Sequence, residues 1–420
     1  MLRLAPLPLL VTSFAVAGFA LNAHASDWPQ WRGPNRDGIS TETGLLKQWP
    51  AGGPKLGWKA MGLGGGYSGV SVAAGRVYTM GDGADTSHVH ALDEKTGRLL
   101  WSTKVGATGG EDRNRYPGTR CTPTVDGKLI YATGQWGDLV CLEGETGREV
   151  WRRSMKTDFK GKMMSSWGYA ESPLIDGDHV IVCPGGRDGT MAALDKKTGA
   201  VVWRSKEWTD NAGYSSIVPA TIGGVRQYVQ LTDANVAGVD PASGKVLWKA
   251  PRAGRTAVIP TPVVDGNFVY VTSGYGVGCN LFRVTANGGK FSAEQVYANK
   301  EIKNHHGGVV KVGANVVGFS DGDGWVWQDL PSGKTAFKAE QKKLGKGSIT
   351  MADGMLYLRH EAGGGTVVLL DGSKPGWVEK GRFDQPNRSN KNSWPHPVIA
   401  NGRLYLRDQD VLLAYDVRKS

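Results

Sequence analysis

The 420-residue chain has only four cysteines and, beyond its first 25 residues, no long apolar run. A transmembrane helix needs about 20 consecutive apolar residues, so we expect no membrane span in the rest of the chain. Cys121, Cys141, Cys183 and Cys279 include no C-x-x-C spacing and no adjacent pair. This pattern excludes a c-type haem attachment and a disulfide between neighbouring residues, and it leaves three full pairings open.

The sequence also lacks basic runs longer than two residues, although its formal net charge is +11. Clustered Lys and Arg residues are the usual mark of a nucleic-acid-binding surface, so we expect no nucleic-acid partner. A diffuse positive charge favours contact with an anionic envelope or acidic polymers, or it simply gives a well-solvated surface.

The one strongly apolar segment is the N-terminus. Arg3 precedes an apolar stretch from about Leu7 to Leu21, and Ala23-His24-Ala25 provides a small-x-small cleavage site. These three parts predict a secretory signal peptide over residues 1–25. We therefore expect the mature protein to be periplasmic or secreted, without a transmembrane segment, and monomeric.

Glycine and aromatic residues are abundant, with 61 Gly, 15 Trp, 13 Tyr and 9 Phe. The glycine content is about twice the average share. Together with many short Val-rich segments, this composition predicts numerous short strands joined by tight turns. The apolar content is ample for a core, so global disorder is excluded.

One phrase recurs along the first half of the chain. Ala91-Leu92-Asp93 is followed by Thr96-Gly97 and then by Trp101, and related phrases end at Trp151, Trp203 and Trp248. The Asp and Thr side chains suit a tight turn, and the Gly supplies a positive φ at no steric cost. A repeat of roughly 50 residues predicts a propeller or a solenoid.

Weaker copies continue the repeat to the C-terminus. Each unit holds about four strands, and the last unit ends one strand short, near Asp416. Gly57-Trp58-Lys59 resembles the missing strand. We therefore predict an all-β fold, an eight-bladed β-propeller with four-stranded antiparallel blades, whose ring is closed by an N-terminal strand joining the C-terminal blade. The alternative, an open β-solenoid, requires capping repeats and no split unit.

The predicted organisation is a signal peptide at 1–25, an N-terminal extension at 26–54 and the propeller at 55–420. The repeat resembles the blade motif of the PQQ-like (quinoprotein-type) β-propeller family, in which an Ala-x-Asp, a Thr-Gly turn and a docked Trp recur. Trp58 is the closing copy of that Trp. Residues 27–38 also resemble the start of a secreted branch of this family, whose function is largely undefined. The resemblance implies the fold more firmly than the function.

The resemblance implies two kinds of activity. Quinoprotein dehydrogenases of this fold hold pyrroloquinoline quinone near the axis with a vicinal disulfide, a calcium ion and an Asp base. The adjacent cysteine pair is absent here, so quinone and Ca²⁺ stay open as cofactors. Another relative, a propeller of the outer-membrane β-barrel assembly machinery, binds protein partners and no quinone.

Candidate site residues follow from the position of the loops. In a propeller, the loop before the innermost strand of each blade opens on one face of the central funnel. By register, these loops bring charged and aromatic side chains toward one axis. The candidate catalytic residues are Arg120, Tyr169, Glu171, His305 and His306, and the candidate ligand-binding residues are Tyr67, Tyr214, Lys346, Trp394 and His396.

The residue types suggest roles for this set. Arg120 or Lys346 suits an anionic group, and an aromatic ring face suits a sugar or a flat cofactor. His305 or His306 suits a general base or a metal ligand, and Glu171 suits a carboxylate partner or an acid. If the His-His segment is extended, at most one of its rings points inward. The alternative is that all these side chains only form hydrogen bonds between blades around a watery channel.

A calcium loop is the weaker interpretation of another segment. Asp321-Gly322-Asp323-Gly324 resembles part of such a loop but lacks the downstream Glu, and it falls where every blade has its middle hairpin. We therefore predict a turn there.

Two functions remain. The first is an exported propeller that binds a small polar ligand, of the carbohydrate or alcohol and quinone type, in its funnel. That propeller is either a binding protein or an enzyme, an oxidoreductase or a metal-assisted glycan-cleaving one. The second is a non-catalytic envelope scaffold that contacts a protein partner through blade edges and loops.

Overall fold

The computed structural model describes residues 26–109 and 116–419, which form eight antiparallel sheets of four strands, one of them joined by a short fifth strand. First strands of neighbouring blades contact one another around a common axis. The eight-bladed β-propeller predicted from the repeat is therefore confirmed. The predicted signal segment, residues 1–25, lies outside the described residues.

The strand bounds follow the predicted four-strand unit. From the innermost strand outward, blades 1 to 4 are Ser71–Ala73, Arg76–Asp82, Thr86–Asp93 and Leu99–Ala107; Thr124–Asp126, Leu129–Thr133, Asp138–Glu143 and Glu149–Ser154; Leu174–Asp176, His179–Val182, Ala192–Asp195 and Val201–Arg204; Val218–Ile222, Val225–Leu231, Asn235–Val239 and Val246–Pro251. Blades 5 to 8 are Val263–Asp265, Phe268–Ser273, Gly278–Asn287 and Lys290–Asn299; Val309–Val312, Asn315–Ser320, Gly324–Asp329 and Thr335–Lys338; Gly347–Ala352, Met355–His360, Val367–Asp371 and Glu379–Phe383; Val398–Ala400, Arg403–Asp408, Val411–Asp416 and Lys55–Ala60. A short 3-10 helix, Gln341–Lys343, precedes blade 7.

Blade 8 closes the ring with strands from both ends of the propeller. Lys55–Ala60 pairs antiparallel with Val411–Asp416, in a register that places Trp58 opposite Ala414. This pairing satisfies an edge that would otherwise be exposed. The predicted closure by an N-terminal strand is confirmed.

The repeated phrase forms a tight turn, as predicted. In blade 1, the Asp93 carboxylate accepts hydrogen bonds from the Thr96 amide at 2.8 Å and from the Thr96 hydroxyl at 2.6 Å. Gly97 has a φ of +72° and donates its amide to the Asp93 carbonyl at 2.8 Å. The same turn recurs in blades 3 and 4. The phrase is thus structural.

The tryptophan of the phrase docks on the next blade. The Trp58 ring covers Gly97 so closely that a Cβ at Gly97 would lie 2.4 Å from it. The Trp58 indole N–H donates to the Glu94 carbonyl at 2.9 Å. The same pairs recur between consecutive blades: Trp101 on Gly147, Trp151 on Gly199 and Trp203 on Gly244. The turn glycine is therefore required both for its φ and for this close approach.

The docking pattern changes after blade 4. Trp248 donates its indole N–H to Gln227 of its own blade at 2.5 Å. Blade 5 instead has a long outer hairpin, and Tyr297 of its last strand covers Gly333 of blade 6 and donates its hydroxyl to the Leu330 carbonyl at 2.8 Å. A tyrosine thus replaces the tryptophan in this blade.

Residues 28–40 of the N-terminal extension, which we call the axial segment, run along the central channel. Trp28 pairs with Val72 of blade 1 through two backbone hydrogen bonds of 2.8 Å. At the other end, Ile39–Ser40 pairs parallel with the innermost strand of blade 7. Each of the other blades is contacted by a residue of the segment. Pro29 contacts Val125 of blade 2, and Arg36 contacts Pro173 and Ile217 at the start of blades 3 and 4. Trp31 contacts Thr261 before blade 5 and His396 before blade 8, and Arg32 contacts Val309 of blade 6. The segment therefore contacts all eight blades.

Two buried arginines hold the axial segment. Arg36 donates to backbone carbonyls at the start of blades 3 and 4, including Ile217 at 2.9 Å. Arg32 donates to the carbonyls of Asp37 at 2.7 Å and Val309 at 2.5 Å. Burial lowers the pKa of both guanidinium groups to about 10, so both stay charged at neutral pH. Charge-assisted bonds to carbonyls of this kind fix the segment firmly.

Candidate functional site

A cavity of about 250 Å³ lies in the funnel above the axial segment. Loops from several blades form its wall, and Trp31 of the axial segment forms its floor. The Trp31 indole N–H donates to the Thr261 hydroxyl at 2.9 Å, which fixes the ring in place. The axial segment therefore gives the funnel a closed end.

Seven of the ten predicted site residues line this cavity, and three do not. The seven are Tyr67, Arg120, Tyr214, His305, His306, Lys346 and Trp394. They come from blades 1, 2, 4, 6, 7 and 8, which shows that the loops converge on the axis as their register predicts.

Glu171, Tyr169 and His396 are buried outside the cavity. Both Glu171 oxygens accept the Cys183 amide, at 2.9 and 3.1 Å. The Tyr169 hydroxyl donates to the Pro184 carbonyl at 3.0 Å. These two residues brace blade 3 and do not reach a ligand in the funnel. His396 lies below the floor, with its ring centroid 4.8 Å from that of Trp31.

Burial shifts the pKa of both ionisable groups below the cavity. It raises the pKa of Glu171 to about 8, while the charge of Arg36 acts in the opposite direction. It lowers the pKa of His396 to about 3, helped by the charge of Arg32. Both groups are therefore mainly uncharged at neutral pH, which suits a structural role.

Arg120 is the cation of the cavity wall that lacks a carboxylate partner within 4 Å among residues 26–109 and 116–419. Its guanidinium donates to the carbonyls of Tyr116 at 2.5 Å, Gly118 at 2.9 Å and Trp167 at 3.2 Å. It also lies 5.6 Å from the Tyr67 ring centroid. Burial lowers the pKa of Arg120, yet the group remains a cation at neutral pH. The charge of Asp82 acts on it from beyond 4 Å, and an anionic ligand would supply a counter-charge in direct contact.

Aromatic rings form a continuous chain along the wall. Trp394 is central, with its ring centroid 4.2 Å from Tyr67, 5.0 Å from Tyr116 and 5.2 Å from His306. The chain continues from Tyr116 to Trp167, and from His306 through His305 to Tyr275. Such a wall offers flat apolar faces to a ring-shaped ligand.

His306 and Glu361 form the acidic corner of the cavity. The His306 Nε2 atom lies 2.5 Å from Glu361 Oε2, and the same oxygen accepts the Trp394 indole N–H at 3.0 Å. Although burial opposes ionisation, the hydrogen bond from His306 and the charge of Lys346 lower the pKa of Glu361. Glu361 is therefore an ionised, firmly oriented carboxylate.

His305, Lys346 and Asp321 form a second polar cluster beside it. The Lys346 ammonium lies 2.8 Å from Asp321 Oδ1 and 2.5 Å from His305 Nδ1. Burial, together with the neighbouring His306 and Lys346, lowers the pKa of His305 to about 2, so its ring is neutral. Because Nδ1 then accepts a hydrogen bond from the ammonium, the ring proton resides on Nε2.

Both histidines line the cavity, unlike the expectation for an extended segment. Residues 301–308 contain no strand, so side chains do not alternate there. Asp321 does fall in a hairpin turn, as predicted, between the second and third strands of blade 6. The turn also carries the Asp321 carboxylate, which pairs with the Lys346 ammonium and orients it.

Glu361, Tyr116, Tyr275 and Trp31 also line the cavity and were not predicted. Glu361 and Tyr275 follow the second strand of blades 7 and 5, at the same end of the blade as the loops before the first strand. The prediction included only the loops before the first strand, and the loops after the second strand contain the signal for these two residues. No repeat signal pointed to Trp31, since the axial segment belongs to no blade.

The cysteines do not fit the vicinal disulfide of a quinoprotein site. No group of three or more His, Cys, Asp or Glu side chains is arranged to hold a metal ion within the described part of the chain. The four cysteines are separate, buried and free, so no vicinal disulfide can stack on a quinone. Burial raises the pKa of Cys121, Cys141 and Cys183, as expected for inert thiols.

No helix in residues 26–109 and 116–419 is long and apolar enough to cross a membrane.

Comparison with known proteins agrees with the propeller architecture. The chain is 28% identical over 193 residues to the outer membrane protein assembly factor BamB of Xanthomonas campestris, which covers 44% of this chain and 41% of that protein. It is 26% identical over 190 residues to the quinohemoprotein alcohol dehydrogenase ADH IIB of Pseudomonas putida, covering 42% of this chain and 25% of that enzyme. The chain thus matches less than half the length of these curated relatives.

Solved structures share the fold. BamB from Moraxella catarrhalis superposes with a TM-score of 0.54 at 17% identity, covering 80% of this chain and 95% of that one. The quinohemoprotein alcohol dehydrogenase of Comamonas testosteroni gives a TM-score of 0.61 at 12% identity, covering 95% and 82%. At these identities, the likeness concerns the fold alone. The family model described as outer membrane protein assembly factor BamB matches residues 46–136 and 85–338, more than half of the chain. The chain therefore belongs to this family of PQQ-like β-propellers.

Proposed function

We propose that the protein binds a small polar, ring-bearing ligand in its central funnel. The observation that carries this proposal is Arg120, a cation without a carboxylate partner among the described residues, set in an aromatic-lined cavity with a closed end. Its guanidinium bonds to three carbonyl oxygens, and the Asp82 charge acts on it only from beyond 4 Å, so the site suits a ligand of opposite charge.

The residues that line the cavity favour ligand binding over glycan cleavage and oxidation, the two reactions that the sequence alone left open. Hydrolysis of glycosides ordinarily needs two carboxyl groups that flank the scissile bond. Glu361 is the one carboxylate among the described residues that line the cavity. The cysteines also form no vicinal disulfide of the quinoprotein type, and we assign no oxidation step to the site.

A binding measurement tests the proposal. Isothermal titration of the purified protein with acidic and neutral mono- and disaccharides, and with pyrroloquinoline quinone, should give saturable binding of at least one probe. Tyr67→Ala should weaken that binding by about tenfold or more, because a stacked ring contributes roughly 1–3 kcal/mol. Leu99→Ala, an exposed change on the outer strand of blade 1, is the control. Equal binding by the two variants would place the ligand outside the funnel.

We further propose that the protein is exported and acts in the periplasm or outside the cell as a monomer, with residues 1–25 as its signal. The support is the three-part N-terminal sequence for export and the propeller's closed ring, which leaves only the short outer edges of the blades unpaired, for a monomer. Fractionation of cells that produce the full chain or the chain without residues 2–25 checks this proposal. Equal retention of both in the cytoplasm would contradict export.

A second candidate function, an envelope scaffold, is favoured by one surface feature and by the printed role of the BamB relatives in outer membrane protein assembly. Outer strands of three consecutive blades expose aliphatic side chains: Leu99, Val150, Val201 and Val202. A partner in that assembly could pack on this rim. Co-purification from envelope fractions that is lost in Val202→Asp, with funnel binding intact, would favour the scaffold.

A further inference from the structure

We propose that the ligand of the funnel is an acidic carbohydrate, a polyhydroxylated ring that carries a single carboxylate. In this arrangement Arg120 binds the carboxylate, and Glu361 with His305 binds ring hydroxyls. The inference rests on the proposed function and narrows it to one class of ligand.

Arg120 keeps hydrogen-bonding capacity for the carboxylate. Its Nη1 atom donates to two carbonyls and its Nη2 atom to one. Nε–H and one Nη2–H therefore have no acceptor among the described residues. Arg120 itself lines the cavity, where a ligand can supply the missing acceptors. A guanidinium with two open donors suits a carboxylate oxygen pair.

Glu361 provides the complementary acceptor. Its Oε2 atom is occupied by His306 and Trp394, at 2.5 and 3.0 Å. Its Oε1 atom accepts no hydrogen bond from the rest of the described chain, and 14% of the side chain is exposed, toward the cavity. An ionised oxygen that two other groups hold in place is a strong acceptor for ligand hydroxyls.

His305 adds a donor to the wall of the same cavity. With its Nδ1 atom bound to the Lys346 ammonium, the ring presents Nε2–H, which has no acceptor within residues 26–109 and 116–419. A hydroxyl both donates and accepts hydrogen bonds, so the hydroxyls of one ring can donate to Glu361 and accept from His305. The pair therefore matches the chemistry of sugar hydroxyls.

The charge distribution argues against a flat polyanion in the same cavity. Lys346 is paired with Asp321, whereas Arg120 has no carboxylate within 4 Å among the described residues and receives the charge of Asp82 from farther away. A ligand with several carboxylates would place a negative group close to ionised Glu361, and this repulsion would be strong in a partly buried site. A ligand with one carboxylate and several hydroxyls can place the carboxylate at Arg120 and the hydroxyls at Glu361, without repulsion between like charges.

Matched sugars test this inference. Methyl glucuronoside and methyl glucoside differ only at C6, so the ratio of their dissociation constants reports recognition of the carboxylate. We expect wild type to bind the glucuronoside at least about tenfold more tightly, because hydrogen bonds to charged groups are the strong ones. Arg120→Met should abolish this ratio, and Arg120→Lys should keep part of it.

Glu361→Gln should weaken the binding of both sugars, by about tenfold, and leave their ratio unchanged. Arg98→Met and Glu145→Gln, which change exposed residues far from the funnel, are the matched controls. Thermal unfolding of each variant shows whether it folds; should Arg120→Met fail to do so, Arg120→Lys and Glu361→Gln carry the test.

The outcomes separate the two proposals. Equal affinity for the two sugars, or tight binding of pyrroloquinoline quinone alone, would overturn the acidic-carbohydrate assignment and leave a ligand-binding funnel in place. No saturable binding of any of these probes would overturn both the assignment and the proposed function.

Discussion

Docked tryptophans join blade 8 to blade 1 and join each of blades 1 to 3 to the blade that follows, whereas the other blades are held to their neighbours in different ways. In blades 1 to 3, an indole of the outer strand covers a turn glycine of the next blade, and Trp58 does the same from blade 8. In blades 7 and 8, buried guanidinium groups make the contact: Arg359 donates to the Arg407 carbonyl at 2.7 Å, and Arg407 donates to the Gly64 carbonyl at 3.0 Å. A repeat sought by its tryptophan therefore finds the first half of the ring and underestimates the second.

The two halves also contribute differently to the cavity. Arg120 and several rings come from the first four blades, whereas His305, His306, Lys346 and Glu361 come from blades 6 and 7. Most titratable groups of the wall thus lie where the repeat is weakest. The contrast suggests where to look for function in a repeat protein: the copies that depart from the consensus.

The largest effect should follow from removing a docked indole. Trp151→Ala deletes a ring that is 8% exposed and a hydrogen bond to the Lys196 carbonyl at 2.9 Å. We expect the free energy of unfolding to fall by about 3–5 kcal/mol. Trp377→Ala, at the half-buried outer edge of blade 7, should cost roughly 1 kcal/mol. Similar losses for the two variants in chemical denaturation would refute the distinction between the halves.

The pH dependence of stability should differ in sign between the contributions of Glu171 and Glu361. The pKa of Glu171 is raised to about 8 in the folded protein, from an ordinary 4.5. The folded state therefore holds a proton that the unfolded chain releases, and this contribution to stability is lost as pH rises from about 4.5 to about 8. The pKa of Glu361 is lowered, so its contribution is present above the unfolded pKa and is lost as pH falls through the folded pKa.

Denaturation across about pH 4 to 8.5 measures both signs. Glu171→Gln should flatten the decline toward alkaline pH, an effect on the order of a few kcal/mol. Glu361→Gln should instead reduce the loss on the acidic side. A wild-type profile that rises steadily between pH 5 and 8, with no change in Glu171→Gln, would contradict the assignment for blade 3.

The smallest effect should come from a pair of glycines with the same backbone conformation. Gly147 and Gly354 both have a φ of +74°. A Cβ at Gly147 would lie 2.6 Å from the Trp101 ring, whereas a Cβ at Gly354 meets nothing within 4 Å. Gly354→Ala should cost about 1–2 kcal/mol for its positive φ alone. Gly147→Ala should cost about 1–3 kcal/mol more, because the docked indole must shift. Equal shifts in melting temperature would show that docking does not constrain the turn.

Much of the fold was predicted from the sequence because the tight turn and the docked tryptophan require the same residue types in each copy of the repeat. The Asp, Thr and Gly of the turn and the Trp that covers it gave the unit, and the unpaired strand near Trp58 gave the closure. Blade 5 was harder to interpret: its outermost strand, Lys290–Asn299, had the polar, glycine-flanked sequence of a connection. Its place in the sheet is set by pairing with Gly278–Asn287, which no local signal announces.

The site was predicted in part, for a similar reason. Register places a loop at the funnel, but it does not tell which side chains of a long loop turn inward. In the loop before blade 3, Ala170 lines the cavity while Glu171 turns to the Cys183 amide. Glu361 was missed because it lies in the other loop of its blade. In an irregular loop, whether a side chain points into the cavity or into a blade depends on its tertiary contacts, which the local sequence does not specify.

The axial segment imposes an order on folding. Residues 28–40 are synthesised before any blade, yet their partners are distributed over all eight, up to His396. Arg32 and its acceptor Val309 are 277 positions apart, and Trp31 and Thr261 are 230 apart. The earliest part of the propeller chain therefore has no complete binding surface until the last blade exists. We therefore expect insertion of the axial segment and closure of the ring to occur together and late in folding, and contacts of such long range to make this step slow.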